Sequence, residues 1–166
     1  MPPTSTHGAG SAVRTGVVGT IVAGVAFFDG VCLGLPIAVL AASLRPALVY
    51  PCAVLAVFGL AVGCCTWLDR RWDDWLSGHG SRMEKRLESM RASRLIRRPV
   101  AWIEGSSDRR YALAAAIVNP ILVVGLARTI SGQPVSRRRI LLGSLAYAVP
   151  YVGMWTLVGL ALRDAV

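Results

Sequence analysis

Four apolar stretches, near residues 15–43, 47–68, 112–130 and 139–162, leave this chain few folds to choose from. Each reaches or approaches the ~20 residues that a helix needs to cross a bilayer. No ten-residue alternation of apolar and polar side chains points to a β-barrel. Backbone in lipid must satisfy its own hydrogen bonds, so these stretches are expected to be helices. Composition agrees: 16% of residues are charged, against ~25% in soluble domains. Those charges are concentrated between Asp69 and Arg110. The expected fold class is an all-α integral membrane protein of the cell (plasma) membrane.

Four regions follow. Residues 1–14 are polar and rich in Pro, Thr and Gly, and read as a disordered tail. Residues 15–68 form a transmembrane helical hairpin, closed by the turn Ser43-Leu44-Arg45-Pro46. Its first run is too long for the ~7–15-residue core of a signal peptide, and it is read as a retained span. Residues 69–111 are a basic linker, and residues 112–166 a second membrane hairpin. Gly30-x-x-x-Gly34 and Gly59-x-x-x-Gly63 offer small faces for close helix packing.

The linker opens with Trp67, Arg70, Arg71, Trp72 and Trp75, a typical exit from the headgroup layer. Within it, Met83, Leu87, Met90 and Arg94 recur at helical spacing over 81–98, with Leu95 and Ile96 beside them and Pro99 after them. That pattern predicts a basic amphipathic helix, lying on an anionic membrane surface or packed on the spans. Eleven Lys or Arg side chains place the linker in the cytoplasm. Arg70, Arg71, Arg137, Arg138 and Arg139 are candidate lipid-headgroup ligands. The net charge of +9 is thus explained by membrane surfaces, and no nucleic-acid partner is expected.

The third stretch, Ala112–Ile130, permits two topologies. Its nineteen residues make a normal span, which favours four spans. Four spans, however, put Arg128 and the triple arginine Arg137–Arg139 outside. A return at Asn119-Pro120 would make the stretch re-entrant and bring those arginines inside, leaving three spans. Charge weighs for three spans plus a re-entrant hairpin and hydropathy for four spans, and four spans is the expected topology because the charge rule is statistical.

Asp29 is the only acid in any apolar stretch. A carboxylate at bilayer depth costs at least ~2.5–3.5 kcal/mol on insertion scales, so such groups face protein or a water-filled cavity. It opens the run Asp29-Gly30-x-x-x-Gly34-x-Pro36. Gly30, Gly34, Pro36, Pro120 and Pro134 are candidate helix-break positions; a kink satisfied by neighbouring helices competes with a full break. Asp29, Asn119 and Arg128 are the candidate transport or polar-site residues, with Arg128 placed to pair with Asp29 or with an anionic headgroup.

Phe28-Asp29-Gly30-Val31-Cys32-Leu33-Gly34-Leu35-Pro36 and the stretch Arg128–Gly143, with Gly159 beyond, resemble the small multidrug export family and, more distantly, DedA-like membrane proteins. In DedA-like proteins a re-entrant segment rich in Arg, Pro and Gly precedes a basic entry into the last helix. Arg128, Gly132, Pro134 and Arg137–Arg139 look like that arrangement. The first-segment acids of that pattern reduce here to Asp29. The resemblance implies a transporter-like role and names no substrate.

No catalytic set is expected. There is no Ser-His-Asp constellation, metal-ligand cluster, P-loop or nucleotide fingerprint. His7 and His79 lie apart, and Cys32, Cys52, Cys64 and Cys65 have no Cys-x-x-Cys spacing. The expected function is that of a small transporter or exporter with an embedded carboxylate and no cofactor or metal. The alternative is a non-catalytic accessory or scaffold subunit. The expected partners are the bilayer, its anionic headgroups, and a homo-oligomer or larger membrane protein.

Overall fold

The computed structural model describes residues 23–25, 27–78 and 107–165. The polar tail and the amphipathic stretch 81–98 lie outside the described residues. Among those described, every element is helical: α1 (Phe28–Gly34), α2 (Leu35–Ser43), α3 (Pro46–Gly78), α4 (Asp108–Val118), α5 (Pro120–Ser131) and α6 (Arg137–Asp164).

Three helices are long and apolar enough to cross a membrane: Ala23–Ser43, Pro46–Asp74 and Arg137–Asp164. No more than 28% of any of them is buried inside the protein. Leu48, Leu55, Ile117 and Leu157 are each at least two-thirds exposed. Apolar side chains thus cover the outside, the surface expected where the surrounding medium is lipid.

The first of these helices contains Gly30, Gly34 and Pro36 without stopping. Instead α1 widens into a π-helical turn, in which Leu35 N–H reaches back to Gly30 O. Pro36 then sits at the start of α2, where a proline's missing N–H is tolerated. Leu44 is extended, with φ −117° and ψ 179°, and Pro46 starts α3. The helix continues through Asp69 to Gly78, so residues 69–78 extend the second span's helix.

Helix α6 is the axis of the molecule, packed against α2, α3 and α4. Its small residues set the approach. A side chain at Gly34 would run into the Trp155 ring, and one at Gly159 into the Ala38 backbone carbonyl. The Gly59 and Gly63 face of α3 meets no described residue of its own chain.

Helices α4 and α5 bend by 120° at Asn119. At 1.5 Å per residue the two arms are about 16 and 18 Å long, and that bend leaves their far ends only about 17 Å apart. Both feet stand at the same end of the bundle. The α4 foot is held by Asp108, whose Oδ2 lies 3.2 Å from Arg138 Nε and whose Oδ1 lies 3.3 Å from Arg139 Nε. The α5 foot is held by Arg128, which reaches Asp69 and Asp73 near the end of α3. Val135 N–H, in the connector before α6, donates to Asp69 Oδ1 at 3.0 Å. Pro134 lies in that connector.

Candidate functional site

At the tip of the bent pair, Asn119 has a φ of 124°, the only positive φ outside glycine among the described residues. With ψ 131° it lies outside the left-handed helical region, in a strained conformation that side chains rarely adopt. Its amide then has two tasks. Oδ1 accepts the Ile121 N–H at 2.8 Å and caps α5. Nδ2 donates to Asp29 Oδ2 at 2.7 Å. Pro120 follows as the first residue of α5, where its missing N–H leaves nothing unpaired.

Two tyrosines of α6 complete the setting of Asp29. Tyr147 OH donates to Asp29 Oδ2 at 2.8 Å. Tyr151 OH donates to the Asp29 backbone carbonyl, one of the carbonyls whose pairing changes in the widened turn. The two rings stack with centroids 5.0 Å apart and planes 22° apart. They are four residues apart and so share one face of α6. Asp29 therefore touches donors from α6 and from the Asn119 bend, and its carboxyl accepts from the neutral Asn119 amide and Tyr147 hydroxyl. Hydrogen bonds to a charged acceptor contribute about 1.5–3 kcal/mol each, enough to offset much of the penalty of embedding the group.

A groove of about 510 Å³, open on one side, lies beside this cluster. Asp29, Tyr147 and Tyr151 supply its polar wall, and Ala116, Ile117, Leu122 and Met154 its apolar wall. Among the described residues no three His, Cys, Asp or Glu side chains come together. The site can therefore hold and release a proton, or face a small cation with one carboxylate and the oxygens of two tyrosines.

Of the three polar candidates from the sequence, the fold brings Asp29 and Asn119 together and sends Arg128 elsewhere. Arg128 is nine residues beyond Asn119, about 13 Å along a helix. It is 3% exposed. Its Nη2 donates to Asp73 Oδ2 at 2.8 Å and to the Asp69 carbonyl at 3.2 Å. Its Nη1 donates to the Gly132 carbonyl at 3.0 Å, and Nε lies 3.3 Å from Asp69 Oδ1. Gly132 itself ends α5 in a left-handed conformation, φ 68°. Among the surface arginines, Arg71 pairs with Asp74 at 3.7 Å, and Arg138 and Arg139 pair with Asp108. Arg70 and Arg137 are exposed.

Tyr147 and Tyr151 escaped the sequence reading. Tyrosines inside an apolar span count toward its hydropathy, so they mark no break. Their signal is two hydroxyls at i and i+4 in a helix that must face something polar.

No protein-family model, curated protein or solved structure matches this chain.

Proposed function

We propose that this protein is a proton-coupled transporter-like membrane protein whose exchange site is Asp29. The observation that carries the reading is the lone carboxylate held by Asn119 Nδ2 and Tyr147 OH beside a largely apolar groove. A purely structural acid would be matched by a cation, as Asp69 is by Arg128. Asp29 keeps neutral partners, so a proton or a small cation can come and go without breaking an ion pair.

In the same reading the α4–α5 pair is a re-entrant hairpin between three spans. Its ends are about 17 Å apart by helix geometry, too close to cross a ~30 Å hydrocarbon core. Its two feet share the end that carries Arg70, Arg71, Arg109, Arg110 and Arg137–Arg139. Only Arg45 and Arg163 then remain on the opposite side, so the basic end faces the cytoplasm. The proline and asparagine backbone at the tip is covered by α6 and by Asp29, the condition under which irregular backbone is tolerated at depth. The resemblance to DedA-like proteins, in which a re-entrant segment precedes the last helix, is in keeping with this reading.

The test is proton flux into vesicles of phosphatidylcholine and phosphatidylglycerol holding the purified chain. Asp29→Asn is expected to lower flux at least tenfold, the scale of losing a proton-transfer group. Flux equal to wild type removes Asp29 from the mechanism. A second reading, an accessory subunit, draws on the open Gly59 and Gly63 face of α3. Co-purification with one stoichiometric larger membrane protein, together with no flux, would favour it.

A further inference from the structure

Below the Asp29 centre, toward the basic end, lies a second buried polar group that the proposed exchange step does not use. Tyr111 of α4 is 1% exposed and Ser144 of α6 is 0% exposed. The Tyr111 hydroxyl and Ser144 Oγ have no hydrogen-bond partner of ordinary geometry in the protein. The buried Cys65 thiol of α3 neighbours Ser144, and a thiol is only a weak hydrogen-bonding group. A buried hydroxyl left unsatisfied costs about 1–3 kcal/mol, and bound water is the usual remedy.

These groups are aligned. Ser144, Tyr147 and Tyr151 occupy one face of α6, and Ser144 lies about 4.5 Å below Tyr147 along the axis. Tyr111 packs at Gly143, the residue before Ser144. At the outer end Arg139 covers the Tyr111 ring, 5.7 Å from its centroid, and is paired with Asp108. Asp69 on α3, paired with Arg128, flanks the same end. On the far side of Asp29 the helices close tightly, with Trp155 against Gly34 and Gly159 against the Ala38 carbonyl.

We propose that Tyr111 and Ser144, with the Cys65 thiol beside them, line a hydrated proton path from the basic end of the protein to Tyr147 and Asp29. Each hydroxyl or water accepts a proton on its oxygen and gives its own to the next, so no charge or bond is left changed. The path rests on the reading of Asp29 as an exchange site, and it adds a side: protons enter from the end that carries Asp108 and Arg139. The ionisable groups facing it are Asp69 and Cys65 on α3, Asp108 and Tyr111 on α4, Arg128 on α5, and Arg139 and Tyr147 on α6.

The test is infrared-detected deuterium exchange at the Tyr147 hydroxyl, with the full chain in vesicles of phosphatidylcholine and phosphatidylglycerol. The band is assigned by its loss in Tyr147→Phe. Ser144→Ala and Tyr111→Phe, which keep shape, are expected to slow exchange about tenfold or more. Thr156→Ala removes an equally buried hydroxyl on the far side of Asp29, and is expected to leave exchange unchanged. Wild-type exchange in both Ser144→Ala and Tyr111→Phe overturns the path, whatever the flux assay on Asp29→Asn shows. Equal slowing in Thr156→Ala overturns its one-sidedness. Slowed exchange in the two path variants with undiminished flux in Asp29→Asn keeps the path and sinks the transport reading.

Discussion

Asp29 and Arg128 are both ionisable side chains set in a mostly apolar helical protein, the first half-buried and the second buried, and their surroundings are opposite. Arg128 has carboxylates of Asp69 and Asp73 and two backbone carbonyls. It ties the end of α5 to the end of α3. Asp29 has an amide and a phenol on its carboxyl. The first arrangement is a buried ion pair: removing Arg128 or Asp69 leaves the other uncompensated. The second stays open, since a proton arriving at Asp29 neutralises the site and leaves no stranded counter-ion. Closed pairs fix architecture, and open carboxylates are suited to exchange.

The contrast is most exposed to a test at Arg128. Arg128→Ala strands the nearly buried Asp69 and frees the α5 foot. It should destabilise the protein by about 3 kcal/mol, the low end for breaking a buried pair. Denaturant unfolding in detergent measures this, and a loss under about 1 kcal/mol would erase the difference between the two sites.

Asn119→Ala comes next, with a loss of about 2 kcal/mol from a missing cap and a strained positive φ. Asn119→Gly accepts that backbone and should lose less, while both abolish the bond to Asp29. Comparing the two by thermal melting separates the turn from the contact.

Asp29→Asn should be smaller and of the opposite sign. Replacing an embedded acid by a neutral amide is expected to leave stability unchanged or raise it by up to about 1 kcal/mol, because no cation is orphaned. A large destabilisation, read in the same melts, would mean that Asp29 is structural after all. Asp73→Asn is the smallest, within about 0.5 kcal/mol, since its side chain is 75% exposed and water screens the pair.

Hydropathy made the long helices legible, because length and apolarity are local properties of the sequence. Pro46 likewise marked the turn between α2 and α3. The course of residues 112–130 was harder to read. A window of nineteen apolar residues reports how much chain lies in an apolar setting, and says nothing of its direction. The reversal depends on Asn119 accepting a φ of 124° and on salt links at both feet, which join residues 30 to 59 positions apart. The sequence signals that weighed for it were Asn119-Pro120 and the arginines Arg128 and Arg137–Arg139. Asp29 and Asn119 were legible as polar residues in apolar company. Asp69 was hidden among the charges of a basic stretch, although the fold buries most of its side chain beside Arg128.

Asp29 lies level with Tyr147, ten residues into α6, about 15 Å from that helix's start. In the proposed topology this is half of the ~30 Å hydrocarbon core. A proton moving between Asp29 and either surface would therefore cross about half the membrane voltage, worth a little over 1 kcal/mol per 100 mV. Loading from one side would be helped by the same potential that hinders return to it, so the electrical state of the membrane would bias the direction of exchange.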